Sequence, residues 1–439
     1  MYINNSKNFY TKSQQLTDFL NSNYDGMFYI GHASILVRLN NKKFIFDAIE
    51  QTNFYNNSWC FFPSQLMDKR LLDIDGAFVS HIHQDHYDPS FLRKLQKKDI
   101  PIYILDGRKH FKKVLNDEKI IFNLIPHNKK FFIDKNIWVY GALHEYNDVD
   151  SSMVISNDKL SVYHGNDNFI TEKTLNSFKK AVGKVDVGCI PFAFIHYYPY
   201  LLDKISNKEI KKEGKRLEDQ FMDYGITQSK LLKPKIVIPF GSNLFHADDA
   251  NSLMNKAVAT PVDFVNYAKK KHNNNITSYK TMLSGSFCFK NNGKITTFCE
   301  NVTTKKFNLE LKKFINSNKK NKINNSSYKQ LKIKKNYLLN IQKKLNKNPH
   351  KVKHEIIIGS KNSNKDKICI NLYTNKVTIF NKQTLPNNCH YFKLNVNEYN
   401  KWLTGNLTFE EVLGSRRFRY IRKPNNYNVK VMQIYTNCL

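Results

Sequence analysis

The sequence has no C-x-x-C pair: its seven cysteines are scattered over 439 residues. An odd, dispersed set of this kind fits reduced thiols in a cytoplasmic protein. No C-x-H stands with a C-x-x-H, which excludes a Rieske iron–sulfur site. No apolar run approaches the length of a bilayer span; the stretch 236–240 is among the longest. Met1 to Leu20 are polar, without the apolar core or small-residue cleavage site of a signal peptide. No Gly-rich phosphate loop is present, which argues against a nucleoside-triphosphate enzyme, and no internal repeat occurs. Acidic residues are scarce as well: Asp+Glu is 37 against 69 for Lys+Arg, a net charge of +32. That excludes an acidic solvating protein and makes a polyanionic partner the first idea to test. Asn is also enriched, at about one residue in eight, and AT-rich coding produces the same Lys/Asn bias.

What is present describes a folded α/β protein. Hydrophobic residues make up 41% of the chain, and the length suggests two domains, or three with small ones. After an N-terminal segment, 1–25, short β-rich runs alternate with turns across 26–300. Strands are expected at 33–39, 43–47, 77–80, 102–105, 137–140, 153–155, 160–163, 187–191 and 236–239. A helix is expected at 89–98, with Asp88 at its N-cap and Pro89 at its first position, and another at 208–230. The segment 301–355 differs. Between Lys305 and Lys353 there are sixteen Lys, no Arg and one acid, Glu310, so this part carries +15 and leaves +17 for the rest. We read it as one or two basic helices joined by a flexible 316–327, and as a solvated, compositionally biased face. It provides no arginine for bidentate phosphate contacts, which argues against nucleic acid. Strand patterns resume at 355–358, 368–372 and 377–380, then one helix at 402–413, giving a small α+β C-terminal domain over 356–439.

The informative stretch is Ser80-His81-Ile82-His83-Gln84-Asp85-His86-Tyr87-Asp88, directly after a short apolar strand. Three imidazoles and a carboxylate in one tight turn would be costly in a core, where each needs a partner. They suit metal, because ligands from one turn can address two ions. His81 and His83 can point to one ion while Asp85 and His86 reach a second. Completing ligands are available after later strands: His144 and Glu145, His164 to Asp167, and His246.

His81-x-His83-x-Asp85-His86, with Asp47, Asp167 and His246, resembles the metallo-β-lactamase superfamily. The resemblance implies an αββα sandwich over roughly 26–300 with a binuclear site at one edge. The first metal would take His81, His83 and His144, the second Asp85, His86 and His246, with Asp167 bridging. Asp47 and Asp88 would orient the ligating imidazoles, and Asp85 and Asp167 would be the catalytic carboxylates. A narrower resemblance is to the CMP-N-acetylneuraminate hydroxylase family. It runs through the stretch from Phe78 to Tyr103, Asp150-Ser151-Ser152, Pro191-Phe192-Ala193-Phe194, Leu232-Lys233-Pro234 and Gly405-Asn406-Leu407-Thr408-Phe409-Glu410-Glu411. That family implies hydroxylation of a nucleotide sugar, but its Rieske domain has no counterpart here, so electrons would come from a separate donor protein.

The resemblance implies two metal ions, iron favoured and zinc the alternative. His144 as ligand makes the first site nitrogen-rich; Glu145 in its place makes it oxygen-richer and favours a di-iron oxygenase. The favoured expectation is a non-haem di-iron hydroxylase of a small anionic substrate. A zinc hydrolase of a lactone, amide or phosphodiester is the alternative, and a nuclease ranks third. His196, Tyr197 and Tyr198 are candidate substrate contacts, weighed against core or lid packing. Arg416, Arg417, Arg419 and Arg422 form a basic turn suited to a phosphate or carboxylate, weighed against a solvated charged face.

Overall fold

Along Met27-Phe28-Tyr29-Ile30, Met27 and Tyr29 belong to one apolar cluster and Phe28 and Ile30 to another. That is the two-residue period of a strand, and a strand apolar on both faces requires a packed layer on each side. In the computed structural model, the strand Gly26–Gly31 lies inside an eight-stranded sheet that also holds Ser34–Leu39, Lys42–Phe46, Gly76–Phe78 and Ile102–Leu105 in that order. A seven-stranded sheet faces it, with Ile236–Phe240, Val187–Pro191, Ser161–His164, Ser151–Ser156 and Ile137–Leu143 as neighbours. The structure describes residues 12–438 apart from 108, 146–148, 194, 249–253, 256–257, 273–276, 318–328, 349 and 362–366.

Ile35, Val37 and Phe46 of one sheet meet Val139, Met153, Ile155 and Val162 of the other in the central core. The outer face of the first sheet is covered by the helices Lys12–Asn21, Pro89–Gln96 and Lys109–Asp117, through Phe19, Phe91 and Leu115. The outer face of the second is covered by Glu172–Val182, Asn207–Leu232 and Pro261–Lys271, through Phe178, Ile226 and Phe264. The four layers are the αββα sandwich expected. No helix among the described residues is long and apolar enough to cross a membrane.

A three-stranded sheet, Asn53–Phe54, Trp59–Phe61 and Leu244–His246, extends from the sandwich. It packs on the C-terminal five-stranded sheet, whose central strands are Glu355–Ser360 and Cys389–Leu394. Trp59, Phe61 and Leu244 share one apolar cluster with Ile356, Phe392 and Trp402. In the basic segment, Thr304–Ser317 and Lys335–Leu345 are helices whose apolar faces are buried, Phe307 and Leu311 against Phe62, and Ile341 and Leu345 in the shared cluster. Asn316 and Ser317 end the first helix; the rest of the joining stretch lies outside the described residues.

One expected element divides. The helix read at 402–413 is two, Val396–Leu403 and Phe409–Ser415. Gly405 takes φ 81 between them, a left-handed conformation that suits glycine and interrupts a helix. Thr408 restarts the chain as N-cap, with Glu411 completing a capping box.

Candidate metal centre

The histidine box follows the strand Gly76–Phe78, which pairs in parallel with Lys42–Phe46 and Ile102–Leu105. Its turn is pinned by Asp47, the residue after Lys42–Phe46. Asp47 Oδ1 accepts from the Ser80 backbone N–H at 2.8 Å, and Oδ2 from the Ser80 hydroxyl at 2.6 Å and from His86 Nδ1 at 2.9 Å. With Nδ1 so held, His86 Nε2 is aimed inward. It is buried and makes no hydrogen bond, with Asp85 Oδ2 and Asp167 Oδ2 each 3.5 Å away.

Two groups of three donors result, His32, Asp85 and His86 in one and His81, His83 and Asp167 in the other, each with its ligand atoms within 4.8 Å of one another. Four imidazoles and two carboxylates form a nitrogen- and oxygen-donor set that fits iron or zinc. Asp167 belongs to one group and stands 3.5 Å from a nitrogen of the other, so its carboxylate lies between the two. The electrostatics fit a cation site. Burial opposes charge on His86, yet Asp167 and Asp85 hold its pKa well above the ordinary value. Burial likewise opposes charge on Asp85, but His86 and His32 keep its carboxyl well below the usual range. Burial, with His86 and His83 beside it, pushes His81 well below.

These donors floor a cavity of about 450 Å³, in which His83, Asp85 and Asp167 are exposed to the interior. Its walls include Phe192, Phe240, Leu244 and Leu413. The helix Phe409–Ser415 closes one side and ties itself to the box. Glu410 Oε1 stands 3.4 Å from His83 Nε2, and Gln84 donates to Glu411 Oε1 at 2.9 Å. Trp59 Nε1 donates to the Gly414 carbonyl at 2.7 Å. Burial lowers the His83 pKa, but Glu410, together with Asp150 and Asp85, more than reverses this and raises it to about 9.

The remaining candidates are distributed as follows. His246 belongs to neither donor group; its Nε2 lies 3.1 Å from the Ser415 carbonyl and its ring packs edge-on against Trp59. His144 is half-buried, with its backbone N–H on the Asp150 carbonyl, and is likewise in neither group. Glu145 is exposed and accepts from the hydroxyls of Thr171 and Thr174. Asp88 touches no imidazole: its oxygens accept from the backbone N–H groups of Ser90, Phe91 and Glu50, which makes it a helix cap. His196 and Tyr197 line the cavity. Burial, with Arg416 and Arg422 nearby, keeps the His196 pKa well below normal. Tyr198 faces away, donating to Glu213 at 3.1 Å, with Arg422 over its ring. The basic turn is not a solvated face: Arg417 is 4% exposed and paired with Asp248 and Glu398.

Several residues at the site carried no sequence signal. His32 sits alone in the turn between the first two strands, at φ 49. Tyr55 donates to Asp85 Oδ1 at 3.0 Å from a loop of the small sheet. Glu410 was visible only as part of a C-terminal similarity.

No protein-family model matches the chain. Over 185 residues it is 28% identical to a protein of Mycolicibacterium smegmatis named for a Rieske 2Fe-2S centre, a match covering 40% of this chain and 35% of that one. Over 117 residues it is 28% identical to the cytidine monophosphate-N-acetylneuraminic acid hydroxylase of Pongo pygmaeus, covering 25% and 20%. The matches thus span about a third or less of these relatives' length. Among solved structures, a metallo hydrolase from Ignicoccus hospitalis is similar with TM-score 0.40 and 15% identity, covering 63% of this chain and 99% of that one. A diiron β-hydroxylase from Streptomyces venezuelae gives TM-score 0.40 and 15% identity, covering 64% and 55%.

Proposed function

We propose that the chain is a binuclear-metal oxygenase that hydroxylates a small anionic substrate. The observation that carries this reading is the pair of three-donor groups meeting at Asp167 on the floor of one cavity. His81, His83 and Asp167 would hold one ion and His32, Asp85 and His86 the other. In this reading His32 rather than His246 completes the second set. Irons held there would supply oxygen activation, with electrons from a donor that is not among these 439 residues. Similarity over part of the chain to a hydroxylase and to an iron–sulfur protein supports oxygen chemistry over hydrolysis.

The chain's own residues do the positioning. Asp47 fixes the tautomer of His86 by accepting from Nδ1, which leaves Nε2 to face the centre. Tyr55 holds Oδ1 of Asp85 and leaves Oδ2 turned toward His86 and His32. The apolar walls exclude water from the bond to be oxidised. Metal analysis of protein purified without added metal, with oxygen uptake measured with and without a chemical reductant, tests the reading. Two irons per chain and reductant-dependent uptake are expected, both lost in His83→Ala. Two zincs with no reductant-dependent turnover would overturn it in favour of a hydrolase.

A further inference from the structure

Arg416 and Arg417 are adjacent in sequence and opposite in use. Arg417 is saturated: Nε and Nη2 donate to Asp248 at 2.7 Å, and Nη1 stands 3.2 Å from Glu398. Its neighbour has no carboxylate of the described residues within ion-pair distance. Arg416 Nη1 donates to the Leu413 carbonyl at 2.8 Å and Nη2 to the Ile195 carbonyl at 3.3 Å, while Nε is buried without a hydrogen-bond partner. The guanidinium lies over the Tyr197 ring, 5.1 Å from its centroid, and lines the cavity floored by His83, Asp85 and Asp167.

The backbone reinforces the point. Arg416 is the C-cap of Phe409–Ser415 at φ 57 and ψ 15, a left-handed position usually given to glycine and unfavourable for a residue with a side chain. The two carbonyl anchors fix the guanidinium, so an incoming group pays little to order it. A half-buried guanidinium whose Nε has no partner calls for an anion, and a guanidinium edge matches a carboxylate or phosphate through two parallel bonds.

We propose that Arg416 is the anchor for an oxyanion of the substrate, holding it at the wall contributed by the C-terminal unit so that the rest of the molecule lies over the metal donors. The assignment rests on the cavity being the substrate site of the enzyme read above. It makes Arg416 the residue that selects anionic over neutral substrates.

The test uses the full chain as purified, with metal content measured on every sample. Acetate and inorganic phosphate are titrated by calorimetry into the parent protein, Arg416→Gln and Arg416→Lys. The parent should bind at least one of them, and the stronger of the two identifies the substrate group as carboxylate or phosphate. Arg416→Gln should weaken that binding at least tenfold with metal content unchanged. Arg416→Lys, which keeps charge without the planar fork, should lose affinity too. Should the variants fail to fold, phenylglyoxal labelling of the parent, mapped by mass spectrometry, replaces them: saturating anion should slow modification of Arg416 tenfold and leave Arg419 unaffected. Affinity unchanged from the parent in both variants, no binding of either anion to the parent, or unprotected Arg416 would each overturn the inference. An affinity that survives Arg416→Gln and vanishes on chelation would assign the anion to the metals instead. Metal-free protein that still binds through Arg416 would sink the metal reading and leave this inference standing.

Discussion

Asp47 is buried, 1% exposed, and touches both the backbone of the histidine turn and one of its imidazoles. Replacing it with Asn keeps an acceptor but removes the charge that favours donation from His86 Nδ1. We expect Asp47→Asn to weaken metal retention about ten- to a hundredfold, measured by competition with a chelator. At this scale the sequence was partly legible. His81, His83, Asp85 and His86 are readable because their placement is local, set by one turn. His32 and Tyr55 are not, because a lone residue in a hairpin or loop acquires its meaning only from what packs opposite it. Asp88 was readable twice over, as a cap and as an acid near imidazoles, and the backbone N–H groups claimed it.

The helix Phe409–Ser415 is only two turns long, so its ends matter more than its propensity. Thr408 accepts from the Glu411 backbone N–H at 3.2 Å, and Glu411 Oε2 returns to the Thr408 N–H at 2.8 Å. Thr408→Ala should destabilise the protein by about 1 kcal/mol, seen as a lowered urea midpoint, and should loosen Glu410 and Arg416 together. A second element carries a pH dependence. In Cys389–Leu394, His390 packs against His354 with ring centroids 4.5 Å apart and pairs with the Tyr435 hydroxyl. Burial pushes His354 down to about 4; burial and then the His354 and Arg422 charges push His390 down to about 3. Both are therefore held neutral by the fold. Their contribution is complete above the ordinary imidazole value of about 6.5 and is lost as pH falls from there toward 4 and 3, because the unfolded chain then binds protons the folded chain refuses. The urea midpoint should fall between pH 7 and pH 5, and His354→Phe should flatten that slope. Strands such as Val187–Pro191 were legible from their apolar runs. The break at Gly405 is hidden in the sequence because the apolar spacing on either side stays in helical phase.

Across the whole molecule, one apolar cluster joins Trp59 and Leu244 to Phe392 and Trp402 and so ties the three-stranded sheet of the sandwich to the C-terminal sheet. Heating should give a single cooperative transition, monitored together by Trp fluorescence and far-UV circular dichroism; two separated transitions would show that the halves are independent. The change in composition at 301–355 was visible in the sequence, but the shared cluster was not, since composition registers covalent neighbours rather than distant partners. The +32 charge likewise reads differently in three dimensions. The helices Thr304–Ser317 and Lys335–Leu345 bury their apolar sides, so their lysines clothe the outside of a packed element and leave the cavity untouched.

The contacts Gln84 to Glu411, His83 to Glu410 and Asn56 to Glu398 have a consequence in time. Every donor of the two groups is encoded by residue 167, whereas the helix that closes one side over them is encoded only at Phe409–Ser415. On the ribosome, the histidine box emerges long before the helix that will shield it has been made, so any ion it takes can be met in open water. The chain is written in the order in which a vessel is filled and then stoppered.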